Sequence, residues 1–145
     1  MILCDSNILI YAYDKKSPFH QKAKDFIEEK TEIKGELCLT PQILLEFFAV
    51  ITKQAKNPLK TKTALGIISK IKKNKNLVFI FPQENTYFKA LKLAEKYQIK
   101  GSDIFDLYLV ATMLDNNINT LYTHNLADFR NFSEISVFSP LSKTS

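Results

Sequence analysis

The amino-acid sequence predicts an α/β fold: a mostly parallel central sheet of about four to five strands with helices on both faces. Two observations carry this. Short, largely apolar runs at 1–5, 36–40, 77–81, 120–123 and 135–138 are of strand length, as strands buried on both faces are. Between most of them lie stretches whose apolar residues recur at helical spacing, and a strand–helix–strand alternation returns each strand parallel to the last.

Taken in order, residues 1–5 read as the first strand and 7–14 as a short helical turn. A helix is expected over 17–30, opened by Ser17 as cap with Pro18 at the first helical position. After the second strand, Pro41 opens a strongly apolar helix that runs to about Ala55 and ends near Asn57-Pro58. A lysine-rich amphipathic helix follows over 61–74, with Ala64, Ile67, Ile68 and Ile71 along its apolar stripe. Pro82 stops the third strand, 84–98 form a helix, and Gly101 breaks the chain before another helix over 103–116. The fourth and fifth strands complete the sheet. No repeat, linker or low-complexity segment interrupts this order, so the 145 residues read as one domain, 1–145.

Composition narrows the function. The longest apolar runs are broken by charges and are too short to span a bilayer, and no basic stretch precedes the N-terminal apolar run. A cytoplasmic protein without a membrane segment or signal peptide is expected. Cys4 and Cys38 both fall in strands, where buried thiols are expected and a disulfide is the alternative. The net charge is +5, and eight lysines between Lys53 and Lys75 meet no acid. That tract is either a solvated helix face or a surface that attracts a polyanion through its phosphates. With Arg130 as the single arginine, bidentate reading of bases is scarce.

Four carboxylates stand where the chain is otherwise apolar. Asp5 closes Met1-Ile2-Leu3-Cys4, Glu46 interrupts the run from Ile43 to Ile51, Asp106 lies within Ile104-Phe105-Asp106-Leu107-Tyr108, and Asp128 precedes Phe129. An ionised carboxylate in such a setting needs a cation or hydrogen bonds. The topology places all four beyond the carboxyl ends of strands, on the rim where open α/β sheets bind ligands. Oxygen ligands of this kind select Mg²⁺ or Mn²⁺. With only His20 and His124, and no His-x-His or Cys-x-x-Cys, zinc is not expected.

Each acid has a plainer reading. Asp5 could cap the first helix. Glu46 could pair with a lysine such as Lys53. Asp103 and Asp106 are spaced as a capping box, which suits Asp103 better than Asp106. Asp128 is equally a turn residue, as Thr123 and Asn125 are.

The segments Leu3-Cys4-Asp5-Ser6-Asn7-Ile8-Leu9, Thr40-Pro41-Gln42-Ile43-Leu44-Leu45-Glu46-Phe47, Gly101-Ser102-Asp103-Ile104-Phe105-Asp106-Leu107 and Thr123-His124-Asn125-Leu126-Ala127-Asp128-Phe129 occur in one order over nearly the whole chain. In that order they resemble the PIN-domain ribonucleases, and among them the VapC-type toxins of prokaryotic toxin–antitoxin modules. The resemblance implies that Asp5, Glu46 and Asp106 are the family's core acids, with Asp5 and Asp106 as direct metal ligands and Glu46 binding the metal or activating water. The family's fourth acidic position matches Asn125, which is not acidic, with Asp128 three residues later; whether a second metal binds, or Asp128 takes over through a water, stays open. Ser6, Asn7, Thr123 and Asn125 would fix the acids and a water.

The implied reaction is metal-dependent hydrolysis of RNA phosphodiesters, with a cognate antitoxin and a homodimer as implied partners. Tyr11, Tyr13 and Tyr97 could stack bases, with packing as the alternative. Two rival classes remain: a PIN-like domain that only binds RNA or a partner, and a phosphatase of the haloacid dehalogenase type. The phosphatase requires a second Asp two residues after Asp5, where this chain has Asn7.

Overall fold

In the computed structural model, which describes residues 1–142, five short strands form one parallel sheet. They are β1 (Ile2–Cys4), β2 (Leu37–Leu39), β3 (Val78–Phe79), β4 (Thr120–Tyr122) and β5 (Ser136–Phe138), in the order β3-β2-β1-β4-β5. Every neighbouring pair is parallel, with Leu3 opposite Cys38 on one side and Leu121 on the other. The three central strands are apolar because both faces are covered: Leu3, Cys4, Leu37, Cys38, Leu39 and Leu121 are all fully buried. The order reverses at β1, so the gap between β1 and β4 is a topological switch point.

Helix α1 (Ser6–Tyr13) follows β1 directly, with Asp5 as its cap. Helix α2 (His20–Lys30) starts later than the sequence predicts. Ser17 Oγ accepts from Phe19 N at 3.1 Å, so Ser17-Pro18 makes a turn ahead of the helix and is not its first turn. Helix α3 (Pro41–Ala49) begins as expected: Thr40 Oγ1 accepts from Ile43 N at 3.2 Å and Pro41 occupies the first turn. It continues as one π-helical turn, Val50–Gln54, which the sequence pattern did not separate from the helix.

Helix α4 (Thr61–Lys73) buries Ala64 and Ile71, and its lysines face outward. Strand β3 is shorter than predicted, two residues in place of five. Helix α5 (Thr86–Tyr97) packs against α6 (Ile104–Asp115). Between them Gly101, at φ +63°, takes a left-handed conformation that glycine adopts without strain, and opens a 3-10 turn over Gly101–Asp103. A last short helix, α7 (Leu126–Phe129), was read in sequence as a polar turn.

The core lies on both sides of the central strands. Phe47, Ile43 and Ile8 fill one region, while Leu107, Leu109, Val110 and Met113 bury α6 on most sides. This makes α6 an expensive place for a charge, and Asp106 stands in its first turn. Cys4 and Cys38 are buried, free thiols on adjacent strands. No helix is long and apolar enough to cross a membrane among the described residues.

Candidate active site

The switch point is built from the ends of β1 and β4. Asp5 extends β1, its N–H donating to Tyr122 O at 2.9 Å. Its side chain is 6% exposed and held at both oxygens. Ser6 N donates to Oδ1 at 2.7 Å, and Thr123 Oγ1 donates to Oδ2 at 2.7 Å. The helix-cap reading of Asp5 is therefore realised, with a further bond to Thr123.

Thr123 is itself fully committed. Its buried hydroxyl accepts from Asn7 Nδ2 at 3.1 Å and from Asn125 N at 3.1 Å while donating to Asp5. Asn7 completes the staple between α1 and β4, its Oδ1 accepting from His124 N at 3.1 Å. Ser6 Oγ lies 3.5 Å from Asp5 Oδ1 and 3.4 Å from Glu46 Oε2, so its one hydrogen serves one carboxylate at a time.

Glu46 projects from the second turn of α3. Gln42, one helical turn earlier, donates to Glu46 Oε1 at 3.0 Å and to Phe105 O on α6 at 3.1 Å. Sequence reasoning missed Gln42, although its i,i+4 spacing from Glu46 was the available signal. Asp106 is half-buried and makes no hydrogen bond through its carboxylate among the described residues. Asp128 and Asn125 are exposed on the adjoining α7 segment.

The electrostatics tie these groups into one site. Burial pushes the Asp106 carboxyl up to about 6, and the negative charges of Asp128, Asp5, Glu46 and Asp103 push the same way. Burial likewise raises Asp5, against the lowering effect of its bonds from Thr123 and Ser6, and Asp128 adds repulsion. Glu46 is solvent-accessible, yet the cleft around it removes enough water to raise its carboxyl too, opposed by the Gln42 bond. Among the described residues no lysine, arginine or histidine forms an ion pair with any of the four acids, and Lys53 does not reach Glu46.

Asp103 ends the 3-10 turn without capping α6 through its side chain, so the predicted capping box is absent; it contributes only its charge toward Asp106. Tyr11 packs on Phe19 and His124, and Tyr97 on Phe132 with its hydroxyl bonded to Glu134, which fulfils the packing alternative for both. Tyr13 packs against Phe47. The aromatic groups beside the acids are instead Phe81, Phe105 and Tyr108. Together with Gln42, Glu46 and Asp106 they line a cavity of about 800 Å³.

The donor set fits a hard divalent cation in chemistry: oxygens only, mutually repelling, with no protein cation paired to them among the described residues. Among the described residues, no three acidic, histidine or cysteine side chains stand close enough together to hold a metal ion as they are. The acids share a rim, and drawing them inward requires a positive charge to offset their repulsion.

This arrangement defines an α/β protein with an uncompensated acidic cleft at the switch point of a parallel sheet. The PIN domain model matches residues 2–135, and the chain belongs to that family. Ribonuclease VapC48 of Mycobacterium tuberculosis is 26% identical over 140 residues, covering 95% of this chain and 96% of that protein. Ribonuclease VapC24 of the same organism is 23% identical over 145 residues, covering 97% of each.

Two solved structures share the fold. The M. tuberculosis toxin VapC20, described as cleaving the sarcin–ricin loop, aligns with a TM-score of 0.70 at 11% identity over 91% of this chain and 95% of that one. Rickettsia felis VapBC2, solved on a DNA fragment from its promoter, aligns at 0.68 with 18% identity over 96% and 98%.

Proposed function

We propose that this protein is an endoribonuclease that hydrolyses RNA phosphodiesters with Mg²⁺ or Mn²⁺ and serves as the toxin of a toxin–antitoxin pair in the cytoplasm. One observation carries the reading. Asp5, Glu46, Asp106 and Asp128 share a rim at the β1/β4 switch point, and Asp106 is raised to about 6 with no protein cation opposing it among the described residues. Asp5, Asp106 and Glu46 would hold the ion, with Asp128 contributing charge from α7. The bound ion supplies Lewis acidity toward the phosphate and the attacking water.

The chain's own groups do the rest. Thr123 and Ser6 fix the orientation of Asp5 by holding both its oxygens. Glu46 has two oxygens, so one carboxylate can serve both the ion and the attacking water, which it would orient and whose proton it would take. Asn7 and Asn125 act through Thr123, keeping its hydroxyl directed at Asp5. In-line attack would leave a 3′-hydroxyl and a 5′-phosphate. The lysines of 53–75 take part in no ion pair among the described residues, which suits phosphate attraction.

The two ribonuclease relatives support the nuclease reading by their names, and fold neighbours solved as toxin–antitoxin complexes support an antitoxin partner. Exposed Tyr87, Phe88 and Leu91 on α5 offer apolar area for a partner, whether antitoxin or second subunit. The phosphatase rival is disfavoured because Asn7 spends its amide on Thr123 and His124, as a structural staple. The deciding test is cleavage of total RNA by purified protein with Mg²⁺, Mn²⁺ or chelator. Cleavage that requires the ion and is lost in Asp5→Asn supports the reading. Cleavage that survives exhaustive chelation removes the metal from it, and binding without cleavage favours the non-catalytic rival.

A further inference from the structure

The three core acids are positioned in different ways, and the difference singles out one residue. Asp5 is clamped by a backbone N–H and a buried hydroxyl. Asp106 is placed by α6, a helix buried on most sides. Glu46 has neither advantage: it is the longest of the three, projects into solvent, and its Ser6 contact is long at 3.4 Å and shared with Asp5. Its one short bond comes from Gln42 Nε2, at 3.0 Å.

Gln42 uses the second hydrogen of the same nitrogen on Phe105 O, 3.1 Å away. That carbonyl belongs to the peptide group leading into Asp106. Both neighbours of the amide are acceptors, so only the orientation that presents nitrogen to both is satisfied, and the flipped amide would face two oxygens. One nitrogen thus links the carboxylate of Glu46 to the backbone that carries Asp106, across the boundary between α3 and α6.

We propose that Gln42 is a positioning residue that fixes the separation between Glu46 and Asp106 and so sets the affinity of the acidic cleft for its divalent ion. This rests on the metal-dependent reading above. It predicts a loss of roughly tenfold or more in Mn²⁺ affinity when both bonds are removed, the range seen when supporting hydrogen bonds around metal ligands are deleted.

The test is Mn²⁺ binding to the purified protein by calorimetry and by loss of the free-ion electron paramagnetic resonance signal. Wild type is compared with Gln42→Met, which keeps the length and removes both donors, and with Gln83→Met. Gln83 makes the same kind of bond to the other end of α6, donating to Asp115 O at 2.7 Å, and lies outside the acid cluster. Melting temperatures of the chelated proteins report any loss of structure. Weaker Mn²⁺ binding in Gln42→Met with unchanged binding in Gln83→Met is the expected result. Equal binding in all three overturns the role of Gln42 and leaves the metal reading intact. Equal weakening in both variants also overturns it, by showing that α6 anchoring in general is responsible. Absence of Mn²⁺ binding in wild type overturns the metal reading itself.

Discussion

The sharpest consequence of four unneutralised acids concerns stability without metal. In Asp106→Asn the charge disappears while the volume stays, and no hydrogen bond through the carboxylate is lost among the described residues. The carboxyl moves from 3.8 in its ordinary state to about 6 in the fold. Over that window the folded chain holds a proton that the unfolded chain has released, so this group's contribution falls as pH rises. It is neutral in effect below about pH 4 and fully unfavourable above about pH 6 to 7.

The full shift would correspond to roughly 3 kcal/mol. Because Asp106 is only half-buried, solvent screening reduces this to about 1 kcal/mol. For a chain of this size that is a rise of about 2–4 °C in melting temperature. The assay is urea and thermal unfolding of both proteins in chelator at pH 4 and pH 7.5. Equal stability is expected at the lower pH and a more stable variant at the higher one. Saturating Mn²⁺ should reverse the order, since the ion stabilises the form that binds it. A variant less stable than wild type at pH 7.5 in chelator, or a difference that does not change with pH, would show that the charge on Asp106 does not burden the metal-free fold.

Other substitutions probe the framework around the acids. Thr123→Val removes a donor from the buried Asp5 carboxylate and an acceptor from Asn7 and Asn125, so urea unfolding at pH 7.5 should show a loss of about 2 kcal/mol. Gly101→Ala places a Cβ in open space but forces it to φ +63°, and should lower stability by about 1 kcal/mol in the same assay. Burial pushes the Cys38 thiol up to about 12 and holds Cys4 well above its ordinary value, so a colourimetric thiol reagent at pH 8 should react with neither until the chain is unfolded. Asp5→Asn should abolish RNA cleavage while the far-ultraviolet dichroism spectrum remains that of wild type.

Much of the fold is legible because its strands are buried on both faces. Leu37-Cys38-Leu39 and Leu3-Cys4 are apolar without alternation, a pattern that parallel strands beneath two helical layers require. Thr40-Pro41 gives the start of α3 for an equally local reason, since a hydroxyl cap followed by a residue lacking an N–H suits a first turn. Ser17-Pro18 carries the same signal and fails. Its hydroxyl closes a turn onto Phe19 N, and α2 begins only at His20.

The candidate site is legible where a charge contradicts its surroundings. Asp5 and Asp106 stand out because apolar neighbours surround them in the chain. Gln42 offers only its i,i+4 spacing from Glu46, an ordinary pairing on a helix, and its bond to Phe105 O is visible only in the fold. The cleft aromatics escape for a related reason: Phe81 and Phe105 are 59% and 62% exposed, and an apolar residue in sequence reads as core. Tyr11 and Tyr97 show the converse, aromatic candidates for stacking that fold into the protein.

Crystals of the protein grown or soaked with Mn²⁺ would locate the ion in an anomalous difference map collected near the manganese edge. A peak among the carboxylates of Asp5, Glu46 and Asp106, lost in Asp5→Asn crystals, is the result expected. A map with no peak there, or a peak that persists when Asp5 is replaced, would contradict the account.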